Sequence, residues 1–311
     1  MTYSLYGFNF ICDQTINKYH GRTRDQLDAM LPIINIVKND NLDIKMTDSI
    51  EIKNDFCASR HSTSKSYFRF NDGNSILITP NKIQFGGNKI DDKLIGGADI
   101  IILSRQHGRA VLHGSAFTYC NKAYLVCAYP GAGKSTLSAA MSKYHKNVST
   151  LTDDIICVKN DGTSIYNGLS SISLNSDSYN YFQTNNDSTL PVFSTRTSSD
   201  FKTIIDVKSD HANTAMNSYE IGGIFFLHEP LESDLIMIED LNKMELFYES
   251  LKNIKFRQSL VGGLLAQEMQ VINNMVNKNI FGVKLRIRHD YSKLHKITDL
   301  IIDYIDKQTL K

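Results

Sequence analysis

The sequence has almost no excess of charge of either sign. Its 311 residues include 34 Lys and Arg against 33 Asp and Glu, for a formal net charge of +1. Proteins that bind nucleic acids or anionic membranes through charge carry a strong positive field, because contacts with phosphate groups dominate that affinity. The balance therefore excludes binding through overall charge, and we expect neither a nucleic acid nor a membrane as partner.

Long apolar runs and paired cysteines are also missing. Residues 100–103 and 224–227 are among the longest purely apolar stretches, whereas a membrane-spanning helix needs about 20 such residues. The N-terminal residues show no basic start followed by an apolar run, so we expect no secretory signal. The five cysteines include no Cys-x-x-Cys pair, which gives little support to a disulfide framework or a zinc cluster. These features predict a cytoplasmic protein.

Composition and hydrophobic periodicity predict two regions of different character. Apolar residues make up 41% and charged residues 22% of the chain, values typical of soluble globular proteins, and the length suits about two domains. Residues 1–108 contain short alternating runs and turn signals, which predict a β-rich N-terminal region. A helix over residues 91–106, ending at Gly108, closes it. Residues 109–311 have the pattern of an α/β domain.

The start of this second region predicts a β-α-β unit. Residues 111–113 and 123–127 look like two buried strands joined by a turn near Asn121. A glycine-containing loop then leads into an amphipathic helix, in which apolar residues recur at i, i+3, i+4 and i+7 from Leu137. Residues 148–152 predict the next strand, which ends at Asp153 and Asp154.

The rest of the chain gives a weaker pattern. Residues 162–200 are rich in Ser, Thr and Asn and predict either short strands with long surface loops or a mobile flap. Strands are expected over 203–207, 223–227 and 283–287. Helices are expected near 257–277, with an early interruption by two glycines, and at the C-terminus.

Residues 128–136, with the sequence AYPGAGKST, resemble the phosphate-binding motif G-x-x-x-x-G-K-[ST] between a strand and a helix. Ala128 replaces the first glycine, which is acceptable if φ there is negative. Backbone N–H groups of such a loop surround a phosphate at the positive end of the helix. Lys134 would neutralise phosphate charge, and the Ser135 hydroxyl would bind Mg²⁺. The residues predicted to hold ATP are Pro130, Gly131, Ala132, Gly133, Lys134, Ser135 and Thr136.

Asp153 and Asp154 follow the next strand, at the edge where open α/β sheets place their ligands. If this strand lies beside the loop strand, the carboxylates reach the γ-phosphate side. One can then hold the metal while the other accepts a proton from an attacking hydroxyl. His113 is predicted on the strand before the loop strand, near the same edge.

The order of His113-Gly114, the loop at residues 130–136 and LTDD at residues 151–154 resembles that of the HPr kinase/phosphorylase family, and above all of its diverged HPr-kinase-related members. The resemblance implies an α/β P-loop kinase core and an ATP- and Mg²⁺-dependent kinase for a serine hydroxyl. It assigns catalytic roles to Lys134, to Asp153 as the favoured base, and to His113 near the transferred group. Ser135 and Asp154 would bind the metal, although the roles of the two aspartates are exchangeable.

The resemblance leaves the acceptor open. HPr enzymes carry a Glu-x-Arg-Gly signature downstream, where residues 167–173 read NGLSSIS. Diverged relatives include kinases of lasso-peptide precursors and of free serine, so the expected partner is a peptide or protein serine, or a small hydroxylated metabolite. A nucleotide-gated binding protein with little turnover is the alternative from another class. Related kinases are hexameric, which makes a homo-oligomer a further expectation.

Overall fold

The computed structural model describes residues 2–12, 28–39, 42, 56–61, 64–70, 73–87, 97–184, 192–197, 202–207, 217–229, 236–256, 263–287 and 290–310. It is a mixed α/β structure that divides into two compact units. The first comprises Met1–Val111 and Lys255–Val271, and the second comprises Leu112–Ile254 and Ile272–Lys311. The first unit thus extends slightly past the predicted boundary at residue 108 and includes a segment from the C-terminal half.

The strands are β1 (Thr2–Leu5), β2 (Phe8–Cys12), β3 (Ile33–Lys38), β4 (Phe56–His61), β5 (Ser66–Phe70), β6 (Ser75–Thr79), β7 (Lys82–Gly86), β8 (Ala110–Leu112), β9 (Gly114–Tyr119), β10 (Lys122–Ala128), β11 (Ser149–Thr152), β12 (Ile156–Val158), β13 (Ser164–Tyr166), β14 (Ser171–Leu174), β15 (Val192–Thr197), β16 (Thr203–Val207), β17 (Ser218–His228), β18 (Met237–Asp240) and β19 (Phe281–Arg286). The helices are α1 (Ala98–Gln106), α2 (Lys134–Tyr144), α3 (Ser176–Thr184), α4 (Lys243–Lys252), α5 (Leu264–Val276) and α6 (Leu294–Thr309), and a 3₁₀ turn spans Tyr291–Lys293.

The first unit is built on a sheet with strand order β1-β2-β3-β7-β6-β5-β4. All seven strands of this sheet lie within residues 1–108, the region expected to be rich in β-structure. Helix α1 ends as predicted, since Gly108 has φ +75° and Arg109 N–H donates to the Ser104 carbonyl, the pattern of a Schellman motif. Its start was predicted too early: α1 begins at Ala98, and residues 91–96 lie outside the described part of the chain.

A buried ion pair joins two helices of this unit. Arg105 of α1 lies 3.2 Å from Glu268 of α5, and both side chains are 1% exposed. The guanidinium also donates to the carbonyls of Lys255 and Phe256, and Glu268 accepts the Val111 N–H. Each charge is therefore satisfied by several partners, as buried charges must be.

The second unit contains a mixed sheet in which β11, β9, β10, β17, β13 and β12 lie in that order. Strand β10 is parallel to β17, and β17 is parallel to β19. Helices α2 and α6 pack through apolar residues on one face of these strands, with Leu137, Met141 and Ile301 at the centre. The carboxyl end of β10, from which the glycine-containing loop departs, lies beside the carboxyl end of β17.

The predicted β-α-β unit differs from the observed one by a strand. The turn at Cys120 and Asn121 exists, with φ +48° and +61°, but it joins β10 to β9. Strand β11 pairs with β9, and β9 pairs with β10, so β9 separates the strands expected to be neighbours. Strand β9 is buried along its whole length, and its small and polar residues carry no alternating pattern. The two strands predicted before the loop are present as β8 and β10, whereas β9 between them was not predicted.

Other predictions had mixed outcomes. Strand β16 has the predicted bounds, and α6 is the expected C-terminal helix. The segment 162–200 holds α3 as well as short strands, while residues 185–191 and 198–200 lie outside the described chain. Helix α4 was not predicted from the sequence. In the described residues, no helix is long and apolar enough to cross a membrane.

Candidate active site

The loop between β10 and α2 has the backbone shape of a phosphate-binding loop. Gly131 and Gly133 adopt φ +85° and +88°, a region that residues with a Cβ atom rarely adopt. Gly133 precedes α2 without a side-chain cap, so the N–H groups of the first turn are not bonded to a capping side chain. Ala128 is the last residue of β10 and is not among the residues with positive φ. The condition for an alanine at this position is met.

Lys134 turns its ammonium group back over this loop. Its side chain is buried, with 7% exposed, and Nζ donates to the carbonyls of Ala128 at 2.9 Å and Tyr129 at 3.1 Å. A phosphate oxygen is a stronger acceptor than either carbonyl, because hydrogen bonds between two ionised groups are the stronger kind. The lysine is thus held at the loop, where an anionic ligand can take over its hydrogen bonds.

Asp153 contacts the loop through Ser135. The Ser135 hydroxyl donates to the two carboxylate oxygens at 2.9 and 3.2 Å, and the Ser173 N–H donates to Oδ2 at 3.1 Å. Burial raises the pKa of Asp153 to about 6; Asp154 adds to the rise, whereas Ser173, Ser135 and Lys134 oppose it. Asp153 therefore reaches the loop even though β9 separates the two strands.

Asp154 faces a different neighbour. Its backbone has φ +71°, so its side chain points in a different direction from that of a residue in a regular strand. Oδ1 lies 3.2 Å from Nε2 of His113, and the Asp154 side chain is 59% exposed against 21% for the histidine. His113 itself precedes β9 rather than lying on a strand, and its N–H donates to the Asn253 carbonyl at 2.7 Å.

The structure thus brings the predicted residues together in two groups. Lys134, Ser135 and Asp153 meet at the loop, and the half-buried His113 pairs with the exposed Asp154. Among the described residues, no group of three or more His, Cys, Asp or Glu side chains could hold a metal ion. Mg²⁺ usually takes one or two carboxylates, waters and phosphate oxygens, and Ser135 with Asp153 fits such a partial set.

A cavity of about 250 Å³ adjoins the loop on the side of Thr136. The Thr136 hydroxyl lies 2.9 Å from that of Ser178, which lies 3.1 Å from the Tyr291 hydroxyl. Neither Ser178 nor Tyr291 was predicted as a site residue, since no local sequence motif indicates them. Ser173, whose N–H donates to Asp153, lies within residues 167–173. This segment lacks the Glu-x-Arg-Gly signature, and its sequence suggests no functional residue.

No family model matches the sequence, and no curated protein matches it. Among solved structures, the chain is similar to the HPr(Ser) kinase/phosphatase from Coxiella burnetii. The sequence identity is 15% and the TM-score is 0.32, and the match covers 64% of this chain and 92% of that chain. At this identity and TM-score the relationship is distant, and it supplies no argument about the reaction.

Proposed function

We propose that this chain is an ATP- and Mg²⁺-dependent phosphotransferase whose acceptor is a hydroxyl, most simply a serine of a peptide or protein. The observation that carries the proposal is the contact of Ser135 with Asp153 at 2.9 Å, beside Lys134, on a loop with two left-handed glycines. A solvated glycine-rich turn would need neither a buried lysine nor a buried carboxylate bonded to its serine. The order of motifs resembling that of HPr kinases supports the same function.

The two aspartates divide the work in this proposal. Asp153 accepts a hydrogen bond from Ser135, whose hydroxyl is expected to bind the cation. This contact favours Asp153 as the metal-binding aspartate, whereas the family resemblance favoured it as the base. Mg²⁺ would neutralise the charge of the β- and γ-phosphates. Asp154, paired with His113, is then the proton acceptor. His113 would orient its carboxylate, as partners of catalytic carboxylates commonly do.

In the reaction, the acceptor oxygen forms a bond to the γ-phosphorus while the bond from that phosphorus to the β–γ bridging oxygen breaks. The acceptor proton passes to Asp154, and ADP leaves. Lys134 and the loop N–H groups stabilise the charge on the phosphate oxygens and hold them in line with the acceptor. The exposure of Asp154 favours a peptide or protein acceptor, because a site for a free metabolite would enclose its base.

The test compares Asp153→Asn with Asp154→Asn, using γ-labelled ATP with serine-containing peptides and with free serine. Asp154→Asn should lower transfer by roughly 10²- to 10⁴-fold while Mg·ATP affinity stays close to the original. Asp153→Asn should instead raise the Mg²⁺ concentration needed for half-maximal ATP binding.

If Asp153→Asn abolishes transfer with ATP binding kept, and Asp154→Asn changes the Mg²⁺ dependence instead, Asp153 is the base. The size of the labelled product separates a peptide acceptor from a small one. Binding of ATP with no labelled product from any acceptor would support the nucleotide-gated alternative and contradict the proposed transferase.

A further inference from the structure

The cavity beside the phosphate loop belongs to neither the metal group nor the exposed His113–Asp154 pair. It begins at Gly131 and Gly133 and continues past Thr136 to the 3₁₀ turn and α6. A ligand whose phosphates occupy the loop would therefore place its remaining part in this cavity. The volume of about 250 Å³ lies just below the range of pockets for drug-sized ligands, which starts near 300 Å³, and suits a smaller group.

The walls of the cavity have the chemistry of a base-binding pocket. Ile287, Leu294 and Ile297 give a buried apolar surface, with 6%, 6% and 1% exposed. Polar groups share the lining almost evenly with apolar ones, and the polar side chains include Thr136, Asn175, Ser178 and Asp290. A flat aromatic ring system with polar edge atoms can use both kinds of surface, the apolar side chains for its faces and the polar groups for hydrogen bonds at its edge.

Tyr291 is held firmly in the wall of the cavity. Its hydroxyl continues the chain that starts at Thr136 and passes through Ser178. Its ring stacks on Tyr181, with centroids 5.0 Å apart and an interplanar angle of 23°. A ring fixed by its hydroxyl and by stacking on one face can stack a ligand on its other face at little entropic cost.

The edge groups include both hydrogen-bonding characters. Asn175 uses Oδ1 to accept the Ser178 N–H at 2.8 Å, so the group it offers to a ligand is its amide N–H₂, a donor. Asp290 accepts from the N–H and hydroxyl of Ser292 through Oδ1, and carboxylate oxygens accept more than one bond. Nucleobases carry both acceptor atoms and N–H donors, which matches this pair, and a purine has the larger ring surface for stacking on Tyr291.

Resting on the proposed function, we propose that this cavity binds the purine base of the nucleoside triphosphate, and that Tyr291 is a specificity-determining residue for it. The phosphates bind at Lys134, and the base lies between Tyr291 and the apolar side chains of α6. Adenine and guanine share this chemistry, and the comparison of ATP with GTP distinguishes them.

The experiment measures the affinities of the full chain for ATP, GTP, CTP and inorganic triphosphate with Mg²⁺ by calorimetry. One or both purine nucleotides should bind at least about tenfold more tightly than inorganic triphosphate, with CTP below them. Tyr291→Ala should reduce this purine advantage about five- to tenfold and leave triphosphate affinity unchanged. Tyr291→Phe should retain most of the advantage, and Tyr166→Ala, the same deletion on β13, should retain all of it.

Equal affinity for ATP, CTP and inorganic triphosphate overturns the base pocket while leaving the phosphate loop intact. Loss of triphosphate binding in Tyr291→Ala to the same extent as ATP binding also overturns it. If none of the four ligands binds the original protein, the proposed function itself fails. Photolabelling of the unmodified protein with 8-azido-ATP supplies a check that needs no folded variant. Label in peptides that contain Asn175 or residues 287–297 supports the pocket, and label elsewhere contradicts it.

Discussion

Arg105 of the first unit and Lys134 of the second are both buried cations, with 2% and 7% of the residue exposed. Arg105 has a carboxylate partner in Glu268 and two carbonyl acceptors, and Glu268 is bonded in turn to a backbone N–H. Lys134 donates to two neutral carbonyls of its own loop, and its charge also acts on Asp153. A cation held in a hydrogen-bonded ion pair stabilises a fold, whereas one hydrogen-bonded to neutral carbonyls can exchange those bonds for bonds to an anionic ligand.

The carboxylates of the two units differ in the same way. Glu268 accepts from the guanidinium of Arg105, a donor that is always charged. Asp153 has neutral hydrogen-bond donors in Ser135 and Ser173, and burial raises its pKa. A shifted pKa in a carboxylate that contacts a candidate binding loop is typical of functional sites. The comparison therefore separates a structural ion pair from an arrangement that suits a ligand.

Replacing Lys134 should have the largest effect of all on function. Lys134→Ala removes the positive charge that neutralises the phosphates. We therefore expect transfer to fall by roughly 10³- to 10⁵-fold, with weaker ATP binding. Steady-state kinetics and calorimetry measure the two effects. Lys143→Ala is the matched control, because Lys143 is a buried lysine of the same helix that donates to the Phe182 carbonyl at 3.2 Å. Unchanged ATP affinity in Lys134→Ala would remove the phosphate-loop assignment.

Breaking the ion pair of the first unit should cost stability rather than activity. Arg105→Met leaves Glu268 charged and buried, so the free energy of unfolding should fall by about 3–5 kcal/mol in a urea titration. The double variant Arg105→Met/Glu268→Leu should recover a large part of that loss, because no unpaired charge remains. Transfer per folded molecule should stay unchanged in the double variant. A single variant as stable as the original would show that the pair contributes nothing.

A smaller effect is expected from the histidine at the end of α2. Burial lowers the pKa of His145; Asp299 opposes this, and His295 adds to it. His145 Nε2 is buried and 3.6 Å from Asp299 Oδ1, too far for a hydrogen bond. Because the unfolded chain binds the proton more readily, stability should fall as pH drops below the ordinary histidine value of about 6.5.

His145→Gln should weaken that pH dependence, as followed by thermal unfolding at a series of pH values. His295→Gln is the comparison: His295 is 63% exposed and affects the pKa of His145 only as a minor cause, so this variant should change the pH dependence less than His145→Gln does. An identical pH profile in His145→Gln would mean that this group does not contribute to the acid sensitivity.

The smallest effect should follow restoration of the first glycine of the motif. Ala128→Gly affects a residue with strand geometry, so it should cost about 0.5–1 kcal/mol of stability and change ATP affinity by less than about twofold. Calorimetric titration with ATP checks this. A large gain in affinity or transfer would show that Ala128 limits the loop, which would favour the reading of a binding protein with little turnover.

The residues that could be predicted from the sequence are those whose chemistry is local. The two glycines between β10 and α2, and Lys134 and Ser135 at the start of α2, occupy fixed offsets, so a window of nine residues is enough to identify them. The Schellman end at Gly108 and the bounds of β16 are local in the same sense. Strand β9 escaped prediction because its buried Ser and Thr residues pair with neighbours on both sides, which no periodicity reveals. The boundary of the first unit and the place of Lys255–Val271 in it depend on contacts distant in sequence.

The order of residues along the chain determined by itself that a phosphate-binding loop stands between a strand and a helix, because its glycines, lysine and serine act through consecutive backbone atoms. Only the tertiary structure decided that Asp153 bonds Ser135 while Asp154 turns to His113, since a left-handed φ at one residue sends neighbouring side chains apart. It likewise brought Thr136, Ser178 and Tyr291, from α2, α3 and the 3₁₀ turn, into one hydroxyl chain. Such contacts arise from packing, where the chain distance between residues no longer limits which of them meet.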